Sequence, residues 1–99
     1  MKKTIKIFIS KEFSDLAGKI GNAFQTGPHV DNLDISALPW TKREEETGVS
    51  FVMDVKKKSG DIKFSEIKSS LGAALERRGI NGNVGGSERI NKPWQFYVS

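Results

Sequence analysis

The sequence predicts a single α+β domain over residues 1–99, in which two helices cover one face of an antiparallel sheet. Two segments, near residues 4–10 and 48–56, alternate strictly between apolar and polar residues, which is the period of a strand with one buried face. Two other segments repeat apolar residues at helical spacing, and each follows one of these strands. The chain has no cysteine, so its hydrophobic core alone must stabilise the fold.

The first strand and helix are predicted from the segment that ends near Gly27. In TIKIFIS, residues 4–10, the three isoleucines share one face, and Lys6 and Phe8 share the other. Ser10 is a suitable N-cap for the helix that follows. Gly27, followed by proline, predicts the end of that helix.

The middle of the chain predicts a weak strand and then a strong one. Residues 29–40 contain several apolar residues that fit no single period, and we assign a short edge strand near residues 31–37. Residues 39–48 are rich in charge and predict a solvated connection. In the strand at 48–56, alternation assigns one face to apolar residues and the other to Val52, Asp54 and Lys56 among others.

The second half continues with a turn at Ser59-Gly60 and a short return strand over residues 61–64. Ser65 is expected to cap a helix over residues 66–78. Gly79 then predicts a Schellman stop, with the apolar residue after it folding back on the last turn.

The C-terminal segment predicts a mobile, glycine-rich loop over residues 81–89 and one last strand after Pro93. The predicted order is strand, helix, strand, strand, helix, strand, which is the ferredoxin-like, or split βαβ, arrangement. The two strongest strands are expected to form its central pair. A winged-helix-like α+β domain, with residues 53–64 as the wing, is the alternative.

The charge of +4 is placed unevenly along the chain. Residues 1–49 contain seven Lys or Arg and seven Asp or Glu, whereas residues 50–99 contain nine and five. A basic half favours an anionic partner. The N-terminal lysines are not followed by the apolar run of a signal peptide, and no apolar run approaches the ~20 residues of a membrane span. We therefore expect a cytoplasmic protein without a membrane partner.

Signatures of catalysis are missing from the sequence. His29 is the only histidine and has no partner in sequence, and there is no nucleophile elbow, phosphate loop or metal-ligand cluster. Asp31 and Asp34 are too few to indicate a metal site. We expect no enzymatic activity, no cofactor and no metal.

Two segments resemble parts of RRM domains, which bind RNA on an open sheet. IKIFISKEF, residues 5–13, is similar to their first-strand motif, with Phe8 as the outward aromatic residue. TGVSFVMDV, residues 47–55, departs from their third-strand motif, because Val49 and Asp54 stand where aromatic residues belong. Alternation also predicts that Phe51 is buried, since otherwise Asp54 would enter the core. The chain is therefore not assigned to this family.

The residues expected to contact nucleic acid combine cations with two aromatic side chains on the uncovered sheet face and around two loops. They are Lys6, Phe8, Lys56, Lys57, Lys58, Lys63, Arg77, Arg78, Arg89 and Tyr97. The cations would neutralise phosphates, and the two rings would stack on bases.

A protein-interaction module is the alternative function, for example a small inhibitor or modulator of the kind that phages and mobile elements carry. Its contacts would be the exposed apolar candidates Phe8, Trp40, Val52 and Tyr97. An open sheet face or an unpaired edge strand would also favour a homodimer.

Overall fold

The strands and helices are seen in a computed structural model, which describes residues 2–26, 33–37 and 43–99. The elements are β1 (Lys2–Ser10), a 3-10 segment (Lys11–Leu16), α1 (Ala17–Thr26), β2 (Leu33–Ala37), β3 (Arg43–Glu45), β4 (Gly48–Lys57), α2 (Phe64–Arg77), β5 (Val84–Ser87) and β6 (Trp94–Val98). The predicted α+β class is confirmed. None of the described helices is long and apolar enough to cross a membrane.

The strands form a mixed sheet in the order β2-β4-β1-β6-β5, and β3 also pairs with β4. At its centre β1 and β4 run antiparallel, with Ile7 opposite Phe51. On the other side of β1, β6 runs parallel to it and places Phe96 opposite Ile7. β2, β3 and β5 each pair antiparallel with their neighbour.

The antiparallel ferredoxin-like sheet is not observed, because the glycine-rich segment predicted as a mobile loop forms β5. The crossover through α2 leads from β4 to β5, and the pairings make these two strands parallel, as the split βαβ arrangement requires. The chain then reverses at residues 88–93, and β6 takes the place beside β1. Because of this additional strand, β6 runs parallel to β1, whereas the last strand of the expected arrangement would run antiparallel to it.

Both helices pack on the same face of the sheet, where they contact each other. The alternation predicted for β1 and β4 is confirmed, since each odd-numbered residue from Ile5 to Ile9 and from Val49 to Val55 is buried against them. From the helices, the core receives Ala17, Ile20, Ala23, Phe24, Ile67, Leu71, Ala74 and Leu75. Phe64, at the start of α2, stacks on Phe96 at 4.8 Å between ring centroids.

The ends of the helices differ in part from expectation. Ser10 is at the N-cap position, but it makes no capping hydrogen bond, and the first turns are 3-10 rather than α. α2 begins at Phe64 with Lys63, not Ser65, as its N-cap. Gly79 confirms the Schellman stop, with φ of 68° and the amide of Ile80 donating to the Leu75 carbonyl at 3.0 Å. The predicted end of the first helix at Gly27 and Pro28 lies outside the described residues.

The segment after β4 is not a hairpin. β4 continues to Lys57, and residues 61–63 form no return strand but lead directly into α2. The wing of the alternative fold is therefore absent from this described segment. Part of the connection predicted to be solvated forms β3, which pairs with the beginning of β4.

Gly48 allows β4 to lie unusually close to β1. A Cβ atom at this position would overlap the carbonyl oxygen of Ile9 and would lie 2.8 Å from Cζ of Phe8. The ring of Phe8 therefore rests against the backbone at the start of β4. A glycine is required here because no side chain fits between the two strands.

Candidate nucleic-acid interface

We call the sheet face opposite the helices the open face. Its residues alternate with the core residues and lie side by side in the strand register. They are Lys2, Thr4, Lys6, Phe8, Asp34, Ser50, Val52, Asp54, Lys56, Gln95 and Tyr97.

Phe8 and Tyr97 form a ring pair at one end of the open face. They are opposite each other on β1 and β6, with ring centroids 6.3 Å apart and an edge-to-face angle of 65°. Phe8 is half-buried, whereas Tyr97 is 38% exposed and donates its hydroxyl hydrogen to Gln95 Oε1 at 2.8 Å. Both rings therefore lie on one face, as the alternation predicts, but Tyr97 is the exposed one of the two.

A shallow cleft of 340 Å³ lies beside the ring pair. Lys6, Phe8, Thr47, Gln95 and Tyr97 contribute to its lining. The cleft combines aromatic surface, one cation and the polar ends of Gln95 and Thr47. Such a surface can accept a planar ring on the exposed side of Tyr97 and can hydrogen-bond to its edge.

The middle of the open face is closed by a polar cluster around Asp54, whose side chain is 6% exposed. Thr4 Oγ1 donates to Asp54 Oδ1 at 2.9 Å, and Lys2 Nζ lies 3.2 Å from Oδ2. These two partners compensate for the burial of the carboxylate. The alternation of residues 48–56 predicted the face of Asp54, but not that it would be buried there.

The lysines that follow Val55 do not all lie on one face of the sheet. Lys56 is exposed on the open face, between Lys2 and Asp34 of the neighbouring strands. Lys57 lies on the helix side, because successive residues of a strand point to opposite faces. Its Nζ is 2.8 Å from Glu66 Oε2.

Lys57 therefore connects the end of β4 to the first turn of α2. Its amine also donates to the Asp61 carbonyl at 3.2 Å. The side chains of Lys57 and Glu66 are only 11% and 15% exposed. This arrangement leaves Lys57 little freedom to contact a phosphate, in contrast to the exposed Lys58 and Lys63 of the same connection.

Cations from three segments of the chain meet at the end of the sheet where β1 begins, which we call the basic end. Lys2 is directly opposite Lys56, and Lys2, Lys3 and Lys92 line one cleft of 420 Å³. The connections at 58–63 and 88–93 lie at the same end. Its cations are Lys2, Lys3, Lys56, Lys58, Lys63, Arg89 and Lys92.

Two of these cations are already engaged. Lys2 pairs with Asp54, and Lys3 Nζ lies 3.8 Å from the ring centroid of Trp94. The residues predicted to contact nucleic acid did not include Lys2 or Lys3. The signal was present in the N-terminal lysines, but only the sheet register brings them beside Lys56.

The remaining predicted cations are dispersed. Arg77 and Arg78 lie at the C-terminal end of α2, in the helix layer and away from the open face. Lys6 is half-buried beside the cleft of the ring pair, and Arg89 is exposed at the basic end. Phe8 is six positions after Lys2 on β1, which corresponds to about 20 Å along the strand.

Comparisons of the chain with models of known protein families, with curated proteins and with solved structures found no match.

Proposed function

We propose that this chain is a non-catalytic nucleic-acid-binding protein. The basic end contacts the phosphate backbone of a single strand, and the ring pair of Phe8 and Tyr97 stacks on bases. Arg77, Arg78 and Lys57 are not part of this contact. Binding of this kind depends on salt and tolerates different sequences, because backbone charge and base stacking are common to all of them.

The juxtaposition of like charges carries the proposal. Lys2 and Lys56 are direct cross-strand neighbours, and Lys92 lies in one cleft with Lys2 and Lys3. Like charges at such positions destabilise a sheet. A bound phosphate would relieve this repulsion. Asp54 pairs with Lys2, and Asp34 is the cross-strand neighbour of Lys56, so these two carboxylates offset part of the repulsion.

The residue types fit the phosphates of a nucleic-acid backbone better than a single small anion bound in a fixed geometry. Lysine presents a compact charge on a flexible stem, which suits backbone contacts without fixed geometry. The separation of about 20 Å between Lys2 and Phe8 is long enough for several nucleotides to follow β1 from phosphate contacts to stacked bases.

Titration of a labelled single-stranded dodecamer at several salt concentrations tests the proposal. Neutralisation of about four phosphates predicts a slope of about −3 in a plot of log K against log salt. Lys58→Glu combined with Lys92→Glu should weaken binding more than tenfold and reduce the slope by about 1.4.

Lys19→Glu combined with Lys68→Glu is the matched control, since it changes the charge equally at exposed positions of the helix layer. The control should bind within a few-fold of the wild type. An equal loss in both double variants would mean that net charge alone matters and that the basic end is not a site. A wild-type protein that binds no oligonucleotide at low salt would refute the function itself.

Binding of another protein, or of a second copy of the chain, is the second candidate, and the edge of β5 favours it. Among the described strands, β5 pairs only with β6. β5 consists of Val84, two glycines and Ser87. It thus lacks the charges and proline by which edge strands avoid pairing.

Light scattering should then detect a dimer, and Gly85→Lys should dissociate it. Gly85 has room for a side chain. A monomeric wild type would exclude the homodimer.

A further inference from the structure

The turn between β5 and β6 presents an apolar side chain at the basic end. Ile90 is 89% exposed, and the other exposed large apolar residue in the described part of the chain, Tyr97, is only 38% exposed. Asn91 adopts a left-handed conformation with φ of 58°, which reverses the chain directly after Ile90. Exposure of Ile90 to water brings no stabilisation to the fold.

The surroundings of Ile90 are basic. Arg89 precedes it, and Lys92 follows two residues later, both exposed. The cleft formed by Asn91, Lys92 and Pro93 with Lys2 and Lys3 continues the cationic surface at the base of the turn. Glu88 is the acidic residue of this turn. A partner of this turn must therefore combine an anionic surface with an apolar interior that one side chain can enter.

We propose that Ile90 is a wedge that enters the minor groove of duplex DNA and inserts between two base pairs, while Arg89 and Lys92 contact the phosphates on either side. Apolar side chains that insert in this way unstack a base step and bend the duplex. The inference rests on the proposed function and extends it from single strands to a deformed duplex.

Duplex DNA fits this tip better than an anionic membrane surface does. A wedge needs one apolar side chain between flanking cations, and the turn supplies that arrangement. Stable binding to a bilayer needs more apolar area than one isoleucine supplies, such as the face of an amphipathic helix or an acyl chain, even beside a polybasic patch. Tyr97 cannot add to that area, because it lies near the far end of β1 from Lys2.

A bending assay tests the wedge with full-length protein and a duplex that has one central TA step, a flexible step that kinks easily. Fluorophores at the two ends report the bend by energy transfer. The wild type should bend the duplex by about 20° or more. Ile90→Ser should abolish the bend and weaken duplex binding by about tenfold, because the apolar contact is lost.

Ile90→Leu is the matched control and should retain the bend. The salt slope should be the same for the wild type and both variants, since no cation changes. The single-stranded dodecamer should bind all three equally. The urea midpoint should not change, because Ile90 makes no contribution to the core at 89% exposure.

The possible failures are distinguishable. Equal duplex affinity and bending for Ile90→Ser and the wild type would overturn the wedge while single-strand binding still supports the proposed function. Absence of binding to both DNA forms at low salt would overturn both. Ile90-dependent binding to phosphatidylserine vesicles without any duplex bend would overturn the wedge in favour of a membrane contact.

Discussion

Lys57 and Lys58 are adjacent, and substitution of each by methionine should have opposite consequences. Methionine keeps much of the length and apolar stem of lysine and removes its charge. Lys57→Met should destabilise the protein and leave oligonucleotide binding unchanged. Lys58→Met should leave stability unchanged and weaken binding, because Lys58 is exposed at the basic end.

The magnitude for Lys57 follows from its contacts. Its amine makes a charge-assisted hydrogen bond of 2.8 Å to Glu66, and both side chains are at most 15% exposed. Loss of such a bond costs about 1.5–3 kcal/mol, and the Glu66 carboxylate is left with little access to water. We expect a loss of about 2 kcal/mol in the free energy of unfolding, or about 10 °C in Tm for a domain of this size.

Urea denaturation measures the effect, with an unchanged m-value as the sign that only stability changed. Lys58→Met should remain within about 0.5 kcal/mol of the wild type. Glu66→Gln in the Lys57→Met background should cost little more, which gives a coupling energy of about 1 kcal/mol or more.

In the salt titration, Lys58→Met should reduce the slope by about 0.7 and Lys57→Met should not. Equal urea midpoints for the two single variants, or a reduced slope for Lys57→Met, would refute the assigned roles.

Two matched pairs test the sheet in the same way. Gly86→Ala should cost about 1–3 kcal/mol in a urea titration, because its Cβ would lie 2.7 Å from the Gln95 carbonyl oxygen. Gly85→Ala should be neutral or stabilising by up to about 1 kcal/mol, since its Cβ would meet nothing within 4 Å; a reversed order would contradict the register of β5. Phe96→Ala should cost about 3–5 kcal/mol, since Phe96 is fully buried. Tyr97→Ala should instead weaken single-strand binding by about 1–3 kcal/mol with little change in stability; an equal loss of stability in both would contradict the assignment of faces.

Patterns confined to one element were readable from the sequence. The alternation of β1 predicted that its isoleucines are buried and that Lys6 and Phe8 lie on the other face. The Schellman stop at Gly79 was predicted for the same reason, because its hydrogen bonds join residues of one helix turn. In these cases the regular repeat of the backbone determines where each residue points from its position in the sequence.

The direction of the last strand could not be read in this way. β5 has only four residues, two of them glycines, so it shows no alternation and resembles a loop. β5 pairs with β6, and both strands are distant from β4 along the chain. The presence of β5 reverses β6 relative to β1, and no residue of β6 itself carries this information.

The positions of the candidate site residues in the fold were predicted in part. The faces of Phe8, Lys56 and Tyr97 followed from alternation, but the three lysines were interpreted as one hairpin tip. In the structure β4 continues through Lys57, so that Lys56 and Lys57 lie on opposite faces, and α2 supplies Glu66 as a partner.

Which side of each long strand is buried follows from residue order, because a strand turns each successive side chain to the opposite face. Which cations become neighbours depends instead on how the strands are arranged in the sheet. Strand register and crossovers bring Lys2, Lys56 and Lys92 together from three distant segments. The charge repulsion among these lysines therefore cannot be read from the order of residues along the chain.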